Sequence, residues 1–224
     1  VLNSRAGKFT TTIATLVVLV TIGSTISFVR AQSASSIESE RGSYSSFQEA
    51  IDSAQDGDVI TVTSGTHNGN FVIDKSITIQ GVDWPLFDGG GVGNVITIDA
   101  TDVTISGLDI RNSGDTLNSE DAGVEVNAAN VTLDGNRIQN TLFGVYLKQA
   151  PFGVIRNNVI TGMDLEVQRR GDGIRVWYSS DTLIEDNDVS LVRDVVLWYS
   201  ERLTVRNNNI HHGRYGLHFM YDDD

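Results

Sequence analysis

Cysteine is absent from the 224-residue chain, which excludes a disulfide framework and any thiolate metal site. Proline occurs only twice, and Lys8, Lys75 and Lys148 are the only lysines. The net charge is −13. With no broad basic face available, the composition argues against a nucleic-acid partner or an anionic membrane surface. An Asp-rich, Lys-poor surface suits either a high-salt environment or plain solubility. Long apolar runs are absent after residue 31, and beyond residue 57 there is no sustained helical period.

What is present divides the chain into three parts. Arg5 and Lys8 precede an uncharged, largely apolar stretch from Phe9 to Val29, which ends in Val29-Arg30-Ala31. Residues 1–31 read as a secretory signal or, if uncleaved, an N-terminal anchor, so the body is expected to be exported, periplasmic or on the extracytoplasmic face of a membrane. Residues 32–44 are Ser- and Glu-rich and read as a linker. Ser46-Phe47-Gln48-Glu49 is then a capping box, and Phe47, Ala50, Ile51 and Ala54 give the following helix one apolar face.

The remainder repeats. One family of segments runs Val103–Ile110, Val131–Ile138, Val154–Ile160, Thr182–Val189 and Leu203–Ile210. A second family starts at residues 123, 144, 173, 194 and 216, and the two alternate strictly. Short β-rich segments at such a period predict an all-β fold over 45–224: a right-handed parallel β-helix whose N-terminal end is covered by the short helix. The chain stops at Asp222-Asp223-Asp224 inside a turn, so further C-terminal rungs are expected. Asn136, Asn158, Asn187 and Asn208 share one turn register, where stacked amides can bond along the axis and Asn tolerates left-handed backbone. Insertions Asn112–Ala122 and Met163–Asp172 both precede a second-family strand, which brings them out on one face.

Strand alternation points Val124, Val145, Ile174, Val195 and Leu217 inward, together with Val126, Leu147, Val176, Leu197 and Phe219. Tyr146, Arg175, Trp177, Val196 and Trp198 then point outward, beside His218 and Met220, and form a candidate partner-binding face. Two alternatives stand beside it: the Met163–Asp172 loop folds over these residues, or the aromatics stack on saccharides. His218 and Met220 share one strand face, and imidazole with thioether suits copper(I), so these two are the candidate metal residues. Catalysis would need paired carboxylates. The best placed, Asp172, Asp186 and Asp188, also have ordinary turn-forming roles, and no catalytic residue is assigned. Asn130-Val131-Thr132 is a glycosylation sequon.

The late rungs are more specific than the fold. Gly171-Asp172-Gly173-Ile174-Arg175-Val176-Trp177-Tyr178-Ser179, Leu197-Trp198-Tyr199-Ser200 and Gly213-Arg214-Tyr215-Gly216-Leu217-His218-Phe219-Met220-Tyr221 closely resemble the NosD family of periplasmic proteins that mature nitrous oxide reductase. The resemblance runs over roughly residues 44–224. It implies a copper-binding accessory protein working with the ATPase and membrane subunits of an ABC transporter to assemble a copper–sulfur centre. A copper chaperone and apo-nitrous oxide reductase become the expected partners. No family copper ligand is carried over to this chain. The alternative from another class is a polysaccharide-active or glycan-binding β-helix.

Overall fold

The computed structural model describes residues 36–221; the expected signal or anchor at 1–31 lies outside them. Three sheets wind around a common core. The first contains Val59–Thr63, Thr78–Val82, Thr104–Ser106, Thr132–Asp134, Val154–Arg156, Leu183–Glu185 and Thr204–Arg206, all parallel. The second runs from Thr66–Asn68 to Asn209–His211, and the third from Phe71–Ile73 to Gly216–Met220, with seven strands each. Each coil visits the three sheets in turn, so every strand pairs with its own copy one coil away. This is the parallel β-helix that the alternating segments imply.

Period-2 alternation builds the core. In the third sheet, Ile96, Val124, Val145, Ile174 and Val195 are in register and buried, as are Ile98, Val126, Leu147, Val176 and Leu197. Phe219 keeps that register but is 62% exposed, because no described coil packs over it. The two long insertions enter between the second and third sheets; the third sheet keeps its register across them, while the second-sheet pair shifts register between Gln139 and Thr141, just before the Met163–Asp172 insertion.

At the other end, the helix Phe47–Ser53 closes the core. The Ser46 side chain accepts from the Glu49 backbone N–H as expected, and the Glu49 carboxylate accepts from the backbone N–H and hydroxyl of Ser45. Phe47 packs edge-on against Phe71 and Phe87 at 5.2 and 4.7 Å, so the helix is anchored by aromatic contacts as well as capping. The stretch read as a linker differs from expectation. Ser36–Ser39 and Gly42–Ser43 form an antiparallel pair on the first strand of sheet one, with Ile37 buried. That pair covers an edge that would otherwise be open.

The asparagine column is continuous. Asn136 Nδ2 donates to Asn158 Oδ1 at 3.1 Å, Asn158 Nδ2 to Asn187 Oδ1 at 3.0 Å, and Asn187 Nδ2 to Asn208 Oδ1 at 2.9 Å. Each amide also bonds backbone groups of the preceding coil; Asn158 Nδ2, for example, donates to Leu133 O at 2.9 Å. The left-handed backbone belongs not to these asparagines but to the residue before each of them: Gly135, Asn157, Asp186 and Asn207. The column residues therefore keep ordinary backbone and spend their side chains on the stack. Asn158→Ala would strand several buried partners at once and should cost about 2–4 kcal/mol, read as a lower urea midpoint with the far-UV β signal retained at low denaturant.

His67 holds an inward position in register with Phe87 and stands 5.0 Å from its ring. Its Nε2 is buried without a hydrogen-bond partner, and burial pushes the imidazole pKa down. The folded state thus disfavours the proton that the unfolded chain accepts near pH ~6.5. The corresponding stability is present above that pH and lost as pH falls through the folded value. A His67→Phe variant should lose less stability than the parent between pH 7.5 and pH 5, compared by urea unfolding at both.

Candidate functional site

The last coils carry three neighbouring columns on and beside the outer face of the third sheet. The first is Tyr146, Arg175, Val196 and His218, paired in register. Lys148, Trp177, Trp198 and Met220 form the second, also in register. Tyr178, Tyr199 and Tyr221 form the third, each immediately following a second-column residue.

The first column is outward but covered, which corrects the expected open face. Tyr146, Arg175 and Val196 are only 3%, 7% and 4% exposed. Tyr146 joins Ala122, Leu142 and Phe143 in a separate cluster, against which Met163, Leu165 and Trp177 pack. The Met163–Asp172 insertion therefore supplies part of the cover. Arg170 fixes it by donating to Leu165 O at 2.7 Å and to His212 O at 2.9 Å. The first insertion contributes Glu120, which accepts from Arg175 Nη1 at 2.7 Å. The ring of Tyr146 is more stable beneath an insertion than in water.

Arg175 anchors this cover electrostatically. Its Nε donates to Asp172 Oδ2 at 2.8 Å, and its guanidinium lies 4.4 Å from the Phe143 ring centre. Burial opposes the Arg175 charge, but Asp172 and Tyr146 overcome it and raise the pKa. Burial also pushes the Tyr146 hydroxyl up, with Glu120 adding to it and Arg175 and Lys148 working against both.

The second and third columns are accessible. Trp177 and Trp198 are half-buried, while Tyr178, Tyr199 and Tyr221 are 49%, 38% and 73% exposed. The tyrosine rings stack along the axis at 4.9 and 5.0 Å with interplanar angles of 12° and 9°. Sequence reasoning did not single out this stack, although the repeated Trp-Tyr-Ser at 177–179 and 198–200 carried the signal.

His218 and Met220 do come together, lining one cavity of about 240 Å³ with Trp198, Arg175, Arg193 and Arg214. His211 and His212 are elsewhere: their Nδ1 atoms face each other at 2.6 Å, and His211 Nε2 lies 2.8 Å from Asp188 Oδ1. Among the described residues, no group of three or more His, Cys, Asp or Glu is placed to hold a metal. The carboxylates considered for catalysis are engaged. Asp172 is fully buried between Arg175 and Arg193, Asp188 contacts His211, and Asp186 occupies a left-handed turn position.

A solenoid of parallel strands with its distinctive side chains at one end defines the class: the chain belongs to the right-handed β-helix family, whose "Right handed beta helix region" matches residues 90–223. The resemblance read from the late coils extends to a curated relative, the "Probable ABC transporter binding protein NosD" of Pseudomonas aeruginosa. It is 32% identical over 137 residues, which are 60% of this chain and 32% of that protein. The chain thus spans about one third of the length of the curated relative it matches. Among solved structures, alginate lyase from Paenibacillus sp. str. FPU-7 is similar at 12% identity and a TM-score of 0.40, over 79% of this chain and 96% of that one. A likeness at that level carries no argument about activity.

Asp172→Ala should leave Arg175 buried without its main counter-charge. The expected cost is about 3–5 kcal/mol, with faster amide exchange concentrated in residues 112–122 and 163–172. Exchange that rises evenly along the solenoid would show that Asp172 does not hold the cover.

Proposed function

We propose that this chain is an exported, non-enzymatic accessory protein that docks with an ABC transporter in maturing the copper–sulfur centre of nitrous oxide reductase. The carrying observation is the similarity to the relative named as an ABC transporter binding protein. The accessible Trp-Tyr corner supplies a surface for it. Trp177, Trp198, Tyr178, Tyr199 and Tyr221 present aromatic area at low conformational cost, the composition favoured at protein contacts. Tyr146 and Arg175 support this corner from beneath the insertions, and Val196 from the wall of the adjoining cavity. The partners in this reading are the transporter's ATPase and membrane subunits, a copper chaperone and apo-nitrous oxide reductase.

Copper(I) is the cargo in the same reading, with His218 and Met220 as the two residues that would hold it. One observation favours them: the buried Nδ1 of His218 has no hydrogen-bond partner and shares its cavity with Met220. A nitrogen and a thioether suit a soft monovalent ion at low coordination. A copper(I) titration against a competing chelator should show weaker affinity for a His218→Ala, Met220→Leu variant than for the parent; equal affinity would remove both residues from the role.

A glycan-binding role is the second reading, favoured by the exposed tyrosines. Saccharide stacking needs a free ring face, however, and both faces of Tyr199 are taken by Tyr178 and Tyr221.

The docking reading is tested by capture of the purified transporter complex, copper chaperone and apo-reductase on immobilised protein. Trp198→Ser and Tyr199→Ser together should weaken capture about tenfold with an unchanged far-UV spectrum. Undiminished capture by the folded variant would move the contact off this corner.

A further inference from the structure

The cavity beside the aromatic corner has a chemistry that docking does not use. Three guanidinium groups, from Arg175, Arg193 and Arg214, line it with the carboxylate of Asp172, and Asp194 bonds Arg214 at its edge. Each guanidinium is paired with an acid, Arg175 with Asp172 and Glu120, Arg193 with Asp172 and Arg214 with Asp194, so the cavity offers fixed donors on balanced charges.

The arginines are held in place by fully buried acids. Arg193 Nε donates to Asp172 Oδ1 at 3.0 Å, while Arg214 donates from Nη2 to Asp194 Oδ2 at 2.5 Å. Asp194 Oδ1 accepts from the Tyr215 backbone N–H at 2.8 Å. Asp172 and Asp194 thus orient cationic groups in advance of any ligand.

Two further polar atoms are left over. Trp198 Nε1 and His218 Nδ1 are both buried without a hydrogen-bond partner, and both residues line the cavity. Asp194 Oδ2 is 3.6 Å from His218 Nδ1, beyond hydrogen-bond reach. An indole N–H can only donate, and leaving it buried and unpaired is unfavourable. The missing partner is therefore an acceptor. Beside fixed guanidinium groups, a negatively charged acceptor gains most.

We propose that this cavity binds a small oxyanion, either a carboxylate or a tetrahedral anion, on Arg193, Arg214 and the indole N–H of Trp198. A volume of about 240 Å³ falls below the ~300–1,000 Å³ of sites for drug-sized ligands, so the ligand is an ion or a single acidic group. It arrives either as a free ion or as an acidic side chain of a docked partner; the chemistry is the same. The inference does not depend on the transporter reading, and it is an alternative to the copper reading, because one cavity lined by three guanidinium groups does not serve both an oxyanion and copper(I).

The test uses the full chain, metal-free and labelled with 15N-tryptophan. Its three indole N–H signals are from Trp84, Trp177 and Trp198. Sodium sulfate, sodium phosphate and N-acetylglutamate are titrated separately against sodium chloride at constant ionic strength. The signal lost in Trp198→Phe should move saturably with at least one oxyanion and not with chloride, while the other two stay fixed. Saturation by sulfate or phosphate identifies a free-ion site. Saturation by N-acetylglutamate alone identifies a receptor for an acidic side chain. Arg193→Gln should weaken the midpoint about tenfold, and Arg193→Lys less. A Trp198 signal that no oxyanion moves overturns the proposal. So does concerted movement of all three signals, or a midpoint unchanged in folded Arg193→Gln.

Discussion

Every part of this molecule answers to one constraint: each strand must lie directly over its copy one coil earlier. Parallel pairing alone would leave the register free to slip, and a slip by one residue would turn each core valine or isoleucine outward. The amide column from Asn136 to Asn208 opposes this, because a slip would break side-chain and backbone bonds at several levels together. Core burial and the polar column therefore specify the same arrangement from opposite sides, one through apolar area and the other through obligatory hydrogen bonds.

Given that frame, the outer face is a set of vertical columns whose character is decided one coil at a time. Moving along the axis, one column passes from Glu125 through Tyr146, Arg175 and Val196 to His218. Tyr146 lies under the Met163–Asp172 insertion, while Arg175, Val196 and His218 line a cavity. The neighbouring columns remain open and aromatic. Cover, cavity and accessible corner are thus successive stretches of one repeating surface, and Arg175 links them by bonding both the cover, through Glu120, and the wall of the cavity, through Asp172.

The sequence made the fold legible because its decisive signals are local and repeated. Alternating apolar residues gave the inward columns, Ser46 and Glu49 marked the helix, and the Asn spacing marked a turn. Solvent exposure was less legible. Alternation says that Tyr146 and Val196 leave the core, but not that Met163, Leu165 and the rest of an irregular loop return over that face. The turn chemistry was assigned one residue too far along, since a tight bend needs one left-handed residue and one side chain that bonds across, and only geometry separates Asn157 from Asn158. The Ser36–Ser43 pair was missed because it alternates with polar residues and draws its stability from Thr63, Val62 and their neighbours. Arg193, Arg214 and Asp194 were unremarkable singly; their meaning comes from meeting one coil apart.

The insertions have a consequence for how such a molecule can change. Coil-to-coil spacing is measured at the corner between the first and second sheets, where the amides stack. Added residues enter at the next corner, between the second and third sheets. Because measurement and addition occur at different corners, a loop of several residues can be gained, lost or rewritten without altering the pitch of the solenoid. The molecule keeps its ruler and its workbench apart, so recognition chemistry can vary at one corner while the stacking of strands at the other is kept.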